Sequence, residues 1–309
     1  MKTAFIFPGQ GAQYLGMAND YITAVPEYAK VLDEYDRIHG TELRMIMSDG
    51  PEDLLRQTHN TQPAILFHSI CAFKTFEKRS GIYADYVAGH SLGEFSALVA
   101  NGSLSWQDAM HLVHKRGEFM IKANAGVPFA MAAIIGLESD LVIDACLEAE
   151  SVGLVMAVNF NTPIQTVISG TEAGVAAAGE IAKSKGAKRV IPLVVGGPFH
   201  TPLIAQASQW LAEEMENIEF KDSSIPLISN LDAEQNTLGE VARQKLIGQI
   251  ISPVRWVESV QHMLDQGVRR FIEFGPQKVL SGMIKNIDKE ALVFNLDKLD
   301  EVDALVSTL

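Results

Sequence analysis

The chain has 309 residues, 47% hydrophobic and 20% charged, which suits one large α/β domain, or a large domain with a smaller insert, around a sizeable core. A formal net charge of −13 argues against nucleic acid as a partner, because a nucleic-acid binder presents a basic face. No apolar run is long enough to span a bilayer, and the run Ala4-Phe5-Ile6-Phe7 is too short for a signal peptide before it meets Pro8, so a cytoplasmic protein is expected. Of the two cysteines, Cys71 sits in an apolar run and reads as a buried free thiol; no Cys/His spacing suggests a metal site.

Thr3 to Phe7 reads as a buried first strand running into the breaker-rich turn Pro8-Gly9-Gln10-Gly11-Ala12-Gln13. Such a loop can present amides to an anion, but its spacing fits neither a dinucleotide fingerprint nor a P-loop. Residues 15–38 read as helix broken at Pro26. Ser48 or Asp49 is expected to cap a helix that starts near Glu52. Gln62-Pro63 is expected to open a long apolar helix through Phe76.

Next comes Gly89-His90-Ser91-Leu92-Gly93, a Gly-x-Ser-x-Gly motif. The β-rich run from Ile82 to Val87 precedes it, and a helical pattern from Glu94 to Ala100 follows. Strand, sharp turn and helix make the context of a nucleophile elbow. The flanking glycines allow the turn, which lifts the Ser91 hydroxyl to the top of a sheet. It also leaves the Leu92 amide at a helix N-terminus, where it can stabilise an oxyanion. Ser105 then reads as the cap of a helix over 106–123, which carries Met110, Val113, Gly117 and Met120 near one face, with His114, Lys115 and Arg116 beside it.

Residues 128–195 have their own rhythm. Strands are expected over Phe129–Ile135, Val152–Val158, Gln165–Ser169 and Val190–Val195. Ser139 and Thr171 are expected to cap the two intervening helices, and Asn159-Phe160-Asn161-Thr162-Pro163 reads as a turn. The order β-α-β-β-α-β is the split βαβ, ferredoxin-like pattern. A small subdomain over 127–196 is therefore expected, inserted into a large one formed by 1–126 and 197–309. The crossings fall at Asn124-Ala125-Gly126 and Gly196-Gly197-Pro198.

Phe199-His200-Thr201-Pro202 follows the second crossing, with Thr201 as a cap and Pro202 at the first helical position. A domain junction forms a cleft, so His200 is a better candidate base than His111 or His114 on a helix. The remainder alternates again. Strands are expected over 225–229, 269–274 and 291–295, and helices over 238–250, 256–266, 279–287 and 300–306. Alternation of this kind implies a mainly parallel sheet covered on both faces.

With Ser91 as nucleophile, an imidazole at His200 would take its proton and later return one to the leaving group. The oxyanion needs about two donors; Leu92 N–H is one and the Gln10 amide is available as the second. Several acidic residues lie between Ser91 and His200, and the sequence singles out none as a third member. This constellation supports acyl transfer without separating hydrolysis from transfer to a thiol or alcohol.

Phe7-Pro8-Gly9-Gln10-Gly11-Ala12-Gln13, Gly89-His90-Ser91-Leu92-Gly93-Glu94, Lys115-Arg116-Gly117 and Phe199-His200 together resemble the malonyl-CoA:acyl carrier protein transacylases, as do Asn60-Thr61-Gln62-Pro63, Pro253-Val254-Arg255-Trp256 and Phe274-Gly275-Pro276. The resemblance runs over nearly the whole chain. It implies an α/β-hydrolase-like core with the ferredoxin-like subdomain. It also implies ping-pong transfer of malonyl from malonyl-CoA through Ser91 to the phosphopantetheine thiol of acyl carrier protein, for fatty acid synthesis and without a cofactor. His200 would be base and acid, Gln10 and Leu92 the oxyanion amides, and Arg116 the malonate-binding residue. Gln62, Met120 and Phe199 would line the substrate site, and the main-chain carbonyl of Gln249 would orient His200 in place of an acid. Arg116 can hold a carboxylate by two parallel hydrogen bonds. Phe199 and Leu92 fit malonyl over methylmalonyl selectivity. The basic run from Lys183 to Arg189 is a candidate dock for an acidic carrier protein. A monomer is expected. The competing readings are a trans-acting acyltransferase of polyketide synthesis and a serine thioesterase or hydrolase.

Overall fold

Alternate side chains of the first strand, β1 (Lys2–Phe7), bury on opposite faces: Phe5 and Phe7 join one core cluster, Ala4 and Ile6 another. A strand buried on both sides belongs inside a sheet with helices on both faces. The computed structural model, which describes residues 1–124 and 126–309, places it there.

The strands in chain order are β1, β2 (Tyr86–Gly89), β3 (Phe129–Ile135), β4 (Val155–Thr162), β5 (Gln165–Thr171), β6 (Arg189–Pro192), β7 (Leu227–Ile228), β8 (Gln235–Asn236), β9 (Val268–Phe274) and β10 (Leu292–Leu296). A six-stranded sheet has the order β10-β9-β1-β2-β7-β8, parallel throughout except for the edge strand β8. A separate antiparallel sheet has the order β4-β5-β3-β6.

The helix Thr58–Ser80 lies against one face of the large sheet and is buried on nearly all sides from Asn60 to Phe73, its polar first turns included. Its Phe73 and Phe76 pack edge-on against Phe5, whose ring centroid is 4.9 Å from that of Phe274. The other face is covered by Trp256–Asp265 and Val279–Ile287, through Trp256, Val260, Leu280 and Ile284.

The small sheet buries Ala132, Ile134 and Ile168 under the helices Ser139–Ala149 and Glu172–Ser184. Its opposite face turns Met131, Ala133 and Val167 toward the large body. A backbone stitch fixes this placement: Phe160 N donates to Val254 O at 3.0 Å and Val254 N to Val158 O at 2.7 Å.

Several expected boundaries shift for identifiable reasons. The stretch Asn159–Thr162 is strand and not turn, because Asn159 and Asn161 are buried and the Val254 stitch extends the ladder. The long helix starts at Thr58, five residues before Pro63. Its first turn is held by the Asn60 and Thr61 side chains, which bond the carbonyls of Leu54 (3.0 Å) and Leu55 (2.6 Å). Ser48 and Asp49 cap nothing downstream: they end a helix, Leu43–Asp49, that the sequence had not suggested. Glu52–Leu55 follows Pro51 without a side-chain cap.

Ser105 and Thr171 do cap, accepting from the amides of Asp108 and Gly174. Ser139 instead sits inside its helix and bonds Thr166 Oγ1 at 3.0 Å. Thr201 occupies the cap position before the short 3₁₀ turn Pro202–Ile204, but its hydroxyl donates to Pro198 O. Of the first expected crossing, Ala125 lies outside the described residues.

Candidate active site

Ser91 stands between the carboxyl end of β2 and the helix Gly93–Ala100, with φ 54°. The left-handed strain falls on the serine itself, not on its glycines. The glycines are required by close approach: a Cβ at Gly89 would lie 1.9 Å from the Gly93 carbonyl carbon, and one at Gly93 2.1 Å from Phe7 O. Asn230, at the end of the neighbouring β7, secures the turn. Its Oδ1 accepts from Ser91 N at 2.6 Å, and its Nδ2 donates to Gly89 O at 2.6 Å.

His200 also has a positive φ, 62°, and reaches Ser91 Oγ with Nε2 at 2.9 Å. Its Nδ1–H donates to the Gln249 carbonyl at 2.9 Å, which leaves Nε2 unprotonated and able to accept the serine proton. Burial first, then the Arg116 charge, push the imidazole down to about 3, while the Gln249 carbonyl acts in the opposite sense. It is neutral at physiological pH.

Arg116 is fully buried, on the helix Trp106–Lys122. Gly117 lets that helix approach Thr58–Ser80 so closely that a Cβ there would sit 2.6 Å from His59 Cα. The guanidinium is thereby carried inward. Nη1 donates to Gln62 Oε1 at 2.7 Å, and Nη2 to Ser91 Oγ at 2.9 Å and to Gln249 Oε1 at 3.0 Å. Burial lowers its pKa to about 10, with Glu94 opposing, so it remains a cation.

These groups line a cavity of 230 Å³ between the two sheets. Gln10, Gln62, Ser91, Leu92, Arg116, Met120, Phe199 and His200 all border it; Gln249 stands behind. Gln62 also reaches Met120 Sδ, at 3.8 Å. Among the described residues the amides of Gln10 and Leu92 have no acceptor. The described lining holds no Asp, Glu or Lys, and its one cation is Arg116; its two histidines, His90 and His200, are both pushed toward the neutral form by burial. His111 and His114 lie elsewhere, clustered with His39; His111 bonds Glu214 and His114 bonds Tyr35. No group of three or more His, Cys, Asp or Glu among the described residues is arranged to hold a metal, and no described helix is long and apolar enough to cross a membrane.

Sequence reasoning missed Asn230, the Gln249 side chain, and the pair His90–Asn161, in which His90 Nε2 donates to Asn161 Oδ1 at 2.8 Å across the two sheets. Asn230 follows a run expected as strand over 225–229, of which Leu227–Ile228 is strand, and a polar residue just past the carboxyl end of a parallel strand was its available signal. The basic run is partly neutralised, since Lys183 pairs with Glu180 and Lys185 with Glu148.

A strained serine with a neutral imidazole, two free amides and a buried cation form an acyl-transfer site. A family model described as an acyl transferase domain matches residues 4–297, and the chain belongs to that family. The chain is 43% identical over 309 residues to the malonyl CoA-acyl carrier protein transacylase of Bacillus subtilis (strain 168), covering 100% of this chain and 97% of that one. Its fold matches the crystal structure of an acyl-carrier-protein S-malonyltransferase from Burkholderia pseudomallei 1710b, with TM-score 0.95, 41% identity and coverage of 99% and 100%. It also matches a malonyl-transacylase in complex with its type II polyketide synthase acyl-carrier protein, with TM-score 0.95, 36% identity and full coverage of both chains.

Proposed function

We propose that this chain moves malonyl from malonyl-CoA to the phosphopantetheine thiol of acyl carrier protein, supplying fatty acid synthesis. His200 Nε2 takes the Ser91 proton as Oγ attacks the thioester carbonyl. The oxyanion is met by the amides of Gln10 and Leu92. Collapse expels the CoA thiolate, which receives the proton from the imidazolium. In the second half the pantetheine thiol gives its proton to His200, and its sulfur attacks the malonyl-serine carbonyl. Ser91 leaves and is reprotonated by the same imidazolium. The Gln249 carbonyl holds Nδ1–H throughout, in the place an acid would take. Gln62, Met120 and Phe199 shape the acyl pocket. The scheme uses no cofactor or metal, and all its residues come from one chain, as a monomer requires. A cytoplasmic location suits these substrates.

The observation that carries this reading is Arg116, a cation buried within hydrogen-bond reach of the nucleophile. No carboxylate bonds it directly, Glu94 being reached only through Gln249, and malonyl brings a carboxylate to the open side of the guanidinium. We also read the large body as an α/β-hydrolase-like subdomain, 1–126 with 197–309, and residues 127–196 as a ferredoxin-like one. The sheet order β6-β3-β5-β4 with antiparallel neighbours supports the latter.

Intact-protein mass spectrometry after mixing with malonyl-CoA alone tests the assignment. A malonyl adduct on the wild type and none on Ser91→Ala is expected; free malonate and CoA without an adduct would mean a hydrolase. The solved relative bound to a polyketide carrier keeps a polyketide role as the second reading. Comparing transfer rates to fatty-acid and polyketide carrier proteins separates the two.

A further inference from the structure

Glu94 is fully buried on the helix that follows Ser91. Its Oε2 accepts from Asn230 N at 3.0 Å and from Gln249 Nε2 at 2.8 Å. The other end of the same amide, Gln249 Oε1, accepts from Arg116 Nη2 at 3.0 Å. One amide therefore links carboxylate to guanidinium, its dipole aligned with both. The remaining hydrogen bonds of Arg116 are with the neutral Gln62 and Ser91, and its guanidinium lies 5.8 Å from the Phe95 ring centroid; Arg116 Nε has no partner among the described residues, and beside the Glu94 carboxylate stands the Ser229 hydroxyl. The other charged or titratable groups about Glu94 are Lys245, itself paired with Asp232 at 2.8 Å, and His200 and His90 beyond Ser91.

We propose that Glu94 is the proton-linked counter-charge of the acyl site: ionised Glu94 balances Arg116 through Gln249, and a carboxylated acyl group that binds Arg116 makes Glu94 take up a proton. This rests on Arg116 being the malonyl receptor. Two carboxylates around one guanidinium, all out of water, leave a net buried negative charge, and protonating one of them removes it. Glu94 is poised for this. Burial pushes it up to about 7 against the opposing hydrogen bonds of Asn230, Gln249 and Ser229 and the charge of Lys245, and a nearby acyl carboxylate pushes it further. The malonyl carboxylate, ordinarily near 4, stays ionised. Below about pH 7 Glu94 already carries the proton and malonyl binds without penalty. Above it, binding must bring a proton in, and affinity falls by up to about tenfold per pH unit. Acetyl-CoA carries the same CoA without the carboxylate and has no such dependence. Glu94 is thus a positioning residue that sets specificity through Gln249.

The test is the ratio of malonyl-CoA to acetyl-CoA kcat/KM for acyl-enzyme formation between pH 6 and 9. In the wild type this ratio should fall steadily above pH 7, and in Glu94→Gln it should be flat. A flat wild-type ratio, or a slope retained in Glu94→Gln, overturns the proposal. Should Glu94→Gln not fold, calorimetric titration of Ser91→Ala in two buffers of different ionisation enthalpy reads the proton directly. Uptake at pH 8 with malonyl-CoA and none with acetyl-CoA is expected; equal uptake overturns the proposal. Arg116→Ala separates the two readings. If it leaves the ratio unchanged, the receptor assignment fails. If it collapses the ratio while the wild type shows no pH slope, only the Glu94 role fails.

Discussion

Arg116 Nη2 lies 2.9 Å from Ser91 Oγ, so the buried guanidinium and the nucleophile are in direct contact. In a malonyl ester of Ser91 the free carboxylate is one methylene from the acyl carbon. A receptor touching Oγ fits that short reach, and a longer diacid would overshoot it. On the proposed receptor role, an acyl group without the carboxylate would leave the Arg116 guanidinium with no directly bonded anion, Glu94 being reached only through Gln249, and should load more slowly.

Arg116→Ala should therefore slow malonyl loading more than acetyl loading. A charge-assisted hydrogen-bond pair is worth about 3 kcal/mol, so the malonyl-to-acetyl ratio should fall roughly a hundredfold. The truncation also strips a donor from Gln62 Oε1 and Gln249 Oε1, which lowers thermal stability but burdens both substrates alike. Rapid-quench loading rates with the two thioesters decide; equal losses would sink the receptor role.

Phe199 borders the cavity with 7% of its surface exposed, and its ring edge is 3.0 Å from where a Cβ of Gly197 would stand. It is boxed in, and under the proposed substrate-lining role its bulk excludes an α-methyl. Phe199→Ser should raise methylmalonyl-CoA loading relative to malonyl-CoA by about tenfold, the low end of what one methyl commands in an apolar pocket. Competition between the two thioesters, read by adduct mass, is the measurement. An unchanged ratio would reduce Phe199 to a packing residue.

What the sequence made legible was local. The elbow, the alternation that makes a two-faced sheet, and the Ser105 and Thr171 caps each rest on a few neighbouring residues. Gln10 was within reach of local reasoning, because its breaker-rich loop can offer an amide to an oxyanion, whereas the family resemblance supplied Gln62 and Gln249, whose positions nothing in their own neighbourhoods marks out. What stayed hidden depends on chain neighbours far apart. Asn230 meets Ser91 across 139 residues, and whether β7 lies beside β2 is a fact of sheet order. Asn159-Phe160-Asn161 has turn composition, yet the stitch to Val254 and the bond to His90 hold it extended. Tertiary pairing overrode local propensity there.

The His200 imidazole gives a pH prediction. Burial and the Arg116 charge hold it at about 3, and its reactive form is the neutral one. The base is therefore still competent where an ordinary imidazole, near 6.5, would be half protonated. With acetyl-CoA at saturation, the rate of acyl-enzyme formation should stay level from pH 8 down to 5.5. A half-loss near pH 6.5 would show an unshifted base. A bound malonyl carboxylate offsets the Arg116 repulsion, so the acid limb with malonyl-CoA should begin at higher pH than with acetyl-CoA.

Asn230 offers a test of how the strained serine is held. Its side chain accepts from Ser91 N and donates to Gly89 O, both at 2.6 Å, and its own amide donates to Glu94. Asn230→Ala would leave the Ser91 amide and the buried Gly89 carbonyl without partners, at about 1–3 kcal/mol for each unsatisfied group. It also removes what opposes relaxation of Ser91 from φ 54°. The expected result is a melting temperature lower by several degrees, together with a kcat for loading reduced more than tenfold. The malonyl-CoA KM should change little, because Arg116 and Gln62 are untouched. Asn230→Asp retains an acceptor for Ser91 N but loses the donor to Gly89 O, so it should recover part of the rate. If Asn230→Ala raised KM and left kcat intact, Asn230 would be acting on the acyl pocket and not on the geometry of the nucleophile.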